Sequence, residues 1–276
     1  MLVSTRGYEF KVHQGGPDQG PVVLLLHGFP QNSQQWGGVV PLLHGAGLRT
    51  IAVDQRGYST GARPTEPEEY AVDECVTDAL SIMDALNVRS FHVVGHDWGA
   101  VVAWALAADH PGRVLSLTAI SVAHPSAFAR AIAGGGDQRQ KSEYMGFFAQ
   151  LDKSEPALLA NDAQVLRGLF AGSGLSDEEA DKYVRPLLAP GALRAALSWY
   201  AALTLRPLKP YPPVTVPTTF IWGADDLALG REQAEACGGF VSGDYRYVPL
   251  EKISHWVPDQ APEAVGKEIV ARCLAQ

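Results

Sequence analysis

The segment Phe91-His92-Val93-Val94-Gly95-His96-Asp97-Trp98-Gly99-Ala100 governs how the rest of the chain is read. An apolar run of strand length leads into a Gly-His-Asp-Trp-Gly turn. An Ala- and Leu-rich helical stretch, Ala100 to Ala108, follows and stops before Pro111. Glycines on either side of a central residue permit a sharp, strained strand-to-helix turn. Such a turn lifts the central side chain, here Asp97, above the C-terminal edge of a sheet, where open α/β folds bind ligands. The simpler role for an aspartate at this position is a helix N-cap.

Outward from this turn, strand-like and helix-like segments alternate. Val22 to Leu26, Leu48 to Val53 and Val114 to Ile120 are apolar runs like Phe91 to Val94, the pattern of strands buried on both faces. Tyr8 to His13 alternates in character and reads as an edge strand. Val72, Val76, Leu80, Met83 and Leu86 recur at three- and four-residue steps, which predicts a helix with one buried stripe. Alternation of this kind implies a parallel sheet with right-handed crossovers. The rhythm stops near Pro125. From there to about Pro210 the patterns are helical, punctuated by Gly134-Gly135-Gly136 and Ala171-Gly172-Ser173-Gly174, with a capping-box pair at Ser176 and Glu179. Strand patterns return at Thr218 to Trp222 and Tyr245 to Val248, and Pro262 opens a last helix. The fold class is therefore α/β: a core of residues 1–124 and 211–276 with a helical insert, 125–210, and Pro207 to Pro217 as the return path.

Composition narrows the partners. The formal charge of −8 offers nothing to nucleic acid or to an anionic membrane surface. No apolar run approaches the ~18 residues of a membrane helix, and Met1 to Phe10 lacks a signal pattern. Cys75, Cys237 and Cys273 form no CxxC pair, so a cytoplasmic, metal-free protein with reduced thiols is expected. Two acidic clusters, one between Arg63 and Arg89 and one at Asp177 to Asp181, read as solvated helix faces.

Three further segments accompany Asp97. His27-Gly28-Phe29-Pro30 follows the first buried strand, and the backbone N–H groups of Phe29 and Trp98 could together form an oxyanion hole. Ile221-Trp222-Gly223-Ala224-Asp225-Asp226 runs from a strand into an acidic turn. Ser254-His255-Trp256 lies between the last strand and the last helix. The order nucleophile, acid, histidine suits this architecture, with His255 as the base and His27 and His96 as structural neighbours.

His27-Gly28-Phe29-Pro30, Asp54-Gln55-Arg56-Gly57-Tyr58-Ser59, Gly95-His96-Asp97-Trp98-Gly99 and Ser254-His255-Trp256 together resemble an α/β-hydrolase with a cap, specifically the epoxide hydrolase branch. They span nearly the whole core, and the Asp-Trp turn is the narrowest of them. The family pattern sets the acid three residues after glycine, which selects Asp226 over its neighbour Asp225. The resemblance implies two cap tyrosines that grip the epoxide oxygen. Ser142-Glu143-Tyr144 points to Tyr144 and Leu197-Ser198-Trp199-Tyr200 to Tyr200, both otherwise readable as anchors of cap helices. Phe29 and Trp98 complete the substrate-binding set. An aspartate nucleophile suits attack on saturated carbon, with water then hydrolysing the ester, and no metal or organic cofactor is implied. The expected partners are an apolar epoxide and water, and the oligomeric state is open. Two alternatives remain. A dehalogenase would share Asp97 and His255, but Phe29 supplies no side-chain halide donor, and Trp98 and Val101 stand where fluoroacetate dehalogenases carry arginines. A noncatalytic ligand-binding protein would keep the fold and bind without needing Asp97.

Overall fold

The computed structural model describes residues 1–171 and 173–275; Gly172, within one of the predicted glycine punctuations, lies outside them. The chain runs β1 (Leu2–Thr5), β2 (Tyr8–Gly15), β3 (Val22–Leu26), α1 (Val40–Gly45), β4 (Arg49–Val53), α2 (Val72–Ala85), β5 (Phe91–His96), α3 (Trp98–Asp109) and β6 (Val114–Ile120). The insert holds α4 (Pro125–Ala133), α5 (Asp137–Lys141), α6 (Glu143–Phe148), α7 (Leu151–Gly168), α8 (Asp177–Leu187) and α9 (Ala192–Leu205). The core resumes with β7 (Thr218–Gly223), α10 (Arg231–Ala236), β8 (Tyr245–Leu250), α11 (Val257–Gln260) and α12 (Pro262–Leu274).

The strands form one sheet in the order β1-β2-β4-β3-β5-β6-β7-β8. It is antiparallel at β1–β2 and β2–β4 and parallel elsewhere. β5 is buried along its whole length between β3 and β6, so the turn that follows it opens at the middle of the sheet. Apolar residues fill both faces. Phe10, Leu24, Ile82, Phe91 and Trp104 pack on one side, and Val23, Leu25, Leu43, Val94 and Ile269 on the other.

Two sequence expectations change. Leu2–Thr5, mostly exposed and without a readable pattern, takes the edge of the sheet, so Tyr8–Gly15, expected at the edge, is paired on both sides. The acidic stretch before Arg89 is more than a solvated face. Asp78 is buried and takes a two-pronged contact from Arg56, Nε to Oδ2 and Nη2 to Oδ1, both at 2.7 Å. Arg6 adds a 2.6 Å bond to Asp78 and another to Glu74, while Asp84 pairs with Arg113. The negative charge along α2 thus meets arginines from β1–β2, the loop after β4 and the loop before β6.

In the insert, α8 begins with the capping box expected at Ser176 and Glu179, both reciprocal bonds being formed. α7 is broken by non-helical backbone at Ala160–Ala163, where Asn161, Asp162 and Ala163 take positive φ. Among the described residues no helix is long and apolar enough to cross a membrane.

Candidate active site

The turn between β5 and α3 holds Asp97 at φ 54°, ψ −121°, a region costly for any residue with a Cβ. Gly95 and Gly99 make it possible. A Cβ on Gly95 would meet the Gly99 carbonyl, and one on Gly99 the carbonyls of Leu26 and His27. The Asp97 side chain makes no capping bond to α3, so the helix-cap role is set aside. Its Oδ1 instead accepts a 2.7 Å hydrogen bond from the Phe29 backbone N–H. Burial alone would raise the Asp97 pKa. His255, His96 and the Trp98 backbone N–H outweigh it and hold the carboxyl below its ordinary value.

Asp97 Oδ2 faces His255 Nε2 at 3.6 Å, just past hydrogen-bonding reach. On the far side of the ring, Nδ1–H donates to Asp226 Oδ2 at 2.8 Å. The other oxygen of Asp226 accepts the N–H groups of Ala228 (2.8 Å) and Leu229 (2.9 Å). Asp226, not Asp225, therefore supports the ring, and Asp225 lies on the wall of the cavity above. Burial works against a charge on His255, but Asp226 and Asp97 together raise its pKa and favour the imidazolium.

The other two histidines brace this arrangement. Burial, then the charge of His255, pushes His96 down to about 4. The neutral His96 ring donates Nε2–H to the His255 carbonyl at 2.8 Å. His27 joins the Phe29 loop to the segment after β4. Its Nε2 accepts the Gln55 backbone N–H at 3.0 Å, and its carbonyl accepts from the Gln55 side chain.

Tyr144 on α6 and Tyr200 on α9 come together, with ring centroids 6.2 Å apart. Tyr200 also packs edge-on to Phe29 and Trp98 at 5.5 and 5.1 Å. Among the described residues neither hydroxyl donates to a backbone carbonyl, unlike Tyr70, which is tied to the Pro64 carbonyl. Both are held above the usual phenol range. For Tyr144 the causes are burial, then the charges of Asp97 and Asp226, opposed by the Tyr200 hydroxyl; for Tyr200, burial leads.

Two cavities meet at these tyrosines. A chamber of about 770 Å³ is lined by Phe29, Phe148, Leu158, Leu169, His255 and Trp256, among others. A recess of about 50 Å³ is lined by Asp97, Trp98, Val122, Phe128, Met145 and Leu203, among others. Tyr144, Tyr200 and Ala228 border both. Among the described residues no three His, Cys, Asp or Glu side chains gather into a group able to hold a metal ion.

Sequence reasoning missed one set of contacts. Gln31, just after the Phe29-Pro30 turn, donates to Asp259 Oδ2 at 2.6 Å, and Tyr183 of α8 donates to Asp259 Oδ1 at 2.5 Å. The set ties the insert to the loops carrying Phe29 and His255. Its members lie 228 and 76 positions apart, and no local pattern links them.

The model of a family described as alpha/beta hydrolase fold matches residues 21–262. The AB hydrolase superfamily protein YfhM of Bacillus subtilis (strain 168) is 33% identical over 278 residues, covering 98% of this chain and 96% of that protein. Epoxide hydrolase 4 of Homo sapiens is 31% identical over 279 residues, 98% of this chain and 76% of that protein. Among solved structures, the Bacillus megaterium epoxide hydrolase in complex with an inhibitor aligns with a TM-score of 0.89 at 26% identity, over 100% of both chains.

Proposed function

Because this chain belongs to the alpha/beta hydrolase fold family, as an enzyme of its epoxide hydrolase-like branch, we propose that it opens epoxides to vicinal diols through an ester formed on Asp97. The observation that carries the proposal is the divided state of the Asp97 carboxylate. One oxygen rests on the Phe29 N–H, and the other makes no hydrogen bond but faces His255 Nε2 at 3.6 Å, beneath two tyrosines whose hydroxyls are not spent on the backbone. We take residues 125–210 as a cap over a core of 1–124 and 211–276.

In the first step Asp97 Oδ2 forms a bond to one ring carbon while that carbon's bond to oxygen breaks. The electron pair passes to the epoxide oxygen, which Tyr144 and Tyr200 hydrogen-bond and protonate. In the second step water attacks the ester carbonyl carbon. Oδ1 becomes the oxyanion, already bonded to the Phe29 N–H, with the Trp98 N–H as its second donor in this proposal. His255 takes one proton from the water, the other ends on the departing alcohol, and Asp97 is restored as a carboxylate. The raised pKa of His255 fits this sequence. At rest the imidazolium lies between two carboxylates. Esterification neutralises one of them and lowers the ring's proton affinity, so a neutral base is present when water attacks. The proton that the ring gives up balances the one taken by the alkoxide.

Intact-protein mass spectrometry of the His255→Gln variant tests the reading, with aryl and alkyl epoxides, a bromoalkane and fluoroacetate as probes. The expected result is a mass gain equal to the whole epoxide, absent when Asp97→Asn is added. An adduct from a halide alone would make the protein a dehalogenase. No adduct with any probe would sink the covalent reading.

A further inference from the structure

The two cavities differ in size by more than tenfold, and the reacting groups are divided between them. Asp97 lines the small recess and is absent from the walls of the chamber, while His255 lines the chamber and not the recess. From this asymmetry, and resting on the epoxide reading above, we propose that the site is built for terminal epoxides. The unsubstituted ring CH₂ enters the recess, the substituent extends into the chamber, and Asp97 attacks the terminal carbon.

The volumes set the limits. The recess, at about 50 Å³, is less than a tenth the size of the chamber, so the bulkier of two ring substituents fits the chamber. Its far wall is apolar and formed by Val101, Val122, Phe128, Leu203 and Leu208. A second substituent as large as the one held in the chamber would have to displace packed side chains, as overfilling a packed interior does. The chamber lies in the ~300–1,000 Å³ range of pockets that bury drug-sized ligands. Phe147, Val165 and Leu227 on its wall are 40%, 55% and 80% exposed, so an apolar or aryl tail finds apolar contact out to the surface. The polar wall groups Lys252, Asp225 and Gln260 tolerate a polar tail end. Water for the second step has room on the chamber side, where His255 lies.

The atom balance makes the regiochemistry readable. Asp97 Oδ2 bonds to the terminal carbon, and that oxygen leaves with the diol. Water replaces it in the carboxylate, so repeated turnover in H₂¹⁸O delivers label to the terminal carbon. The expected result is ¹⁸O at that carbon, with kcat/KM for a terminal aryl or alkyl epoxide ~100-fold above that of the matched internal epoxide bearing the same large substituent on both ring carbons. The Leu203→Ala/Leu208→Ala variant widens the recess, and its internal-to-terminal ratio should rise ~10-fold or more; the ratio within one sample is insensitive to the fraction folded. Label at the internal carbon, internal epoxides within threefold of terminal ones, or an unchanged ratio in the widened variant would overturn the inference and leave the epoxide reading standing. Failure to turn over either class, with no Asp97 adduct, would overturn both.

Discussion

Two buried charge clusters in this molecule use similar groups in opposite ways. In the first, Arg56 meets Asp78 with both carboxylate oxygens engaged at 2.7 Å, and Arg6 adds a further bond. Burial disfavours the guanidinium, but Asp78 more than compensates and raises the Arg56 pKa further from titration. Both carboxylate oxygens are engaged by guanidinium groups. In the second, Asp226 is as fully committed as Asp78, with bonds to two backbone N–H groups and His255. Asp97 is not. Its Oδ2 has the His255 ring at 3.6 Å and a cavity before it. Buried charge in this fold is locked where it braces and left incomplete at one atom where chemistry is proposed. That single oxygen, in ion-pair range of His255 but without a hydrogen bond, distinguishes the two clusters more sharply than burial or sign does.

The largest expected effect comes from turning the fixed half of the second cluster against the ring. In Asp226→Asn, the Ala228 and Leu229 donors hold the side-chain oxygen, so the amide N–H must face His255 Nδ1. The ring then carries its proton on Nε2 and cannot serve as a base. We expect kcat for epoxide opening to fall ~10³- to 10⁴-fold with the fold intact, as when the supporting acid of a triad is replaced by its amide. The His255 pKa should fall at the same time, because a carboxylate that raises it is gone; NMR titration of the imidazole would read this. An undisturbed kcat would remove Asp226 from the mechanism.

Breaking the locked cluster should do the reverse. Asp78→Ala leaves the buried Arg56 unpaired and should lower stability by about 3–5 kcal/mol in urea unfolding. The kcat per folded molecule should change little. A variant that stays stable but loses kcat would show that the two clusters are coupled.

Asp259 lies between these cases. Burial raises its pKa to about 6, against the Tyr183 and Gln31 hydrogen bonds that lower it. Because the folded pKa exceeds the ordinary value of 3.8, the native state keeps this proton when the unfolded chain has lost it. The associated stability is full below about pH 4 and is lost as pH rises to about 6. Replacement by asparagine should flatten that fall, which is at most about 3 kcal/mol for such a shift. Urea melts at pH 4 and pH 7 would measure it, and an unaltered pH dependence would assign the fall to other groups.

How much of this was legible follows from how local each feature is. The strand, turn and helix around Asp97 were readable because glycine spacing and apolar patterning act over a few residues. Asp226, Tyr144 and Tyr200 were readable only by resemblance: the family pattern counts the acid from Gly223, and an aromatic residue in an amphipathic helix has many uses. The acidic stretch of α2 was misread because its neutralising partners lie far off in sequence: Arg6 is 72 positions from Asp78, and Arg56 is 22.

The sequence by itself determined the alternation of strand and helix, the strained turn and the chemical types available at it. Those depend on φ/ψ limits and hydrophobic periodicity, which a few neighbouring residues specify. Only the tertiary structure decided which Asp97 oxygen lacks a hydrogen bond, that Asp259 joins insert to core, and that one cavity at Asp97 is far smaller than the other. Each of these is a difference of an ångström or a few side-chain volumes between residues distant in the chain, and packing in three dimensions sets such differences.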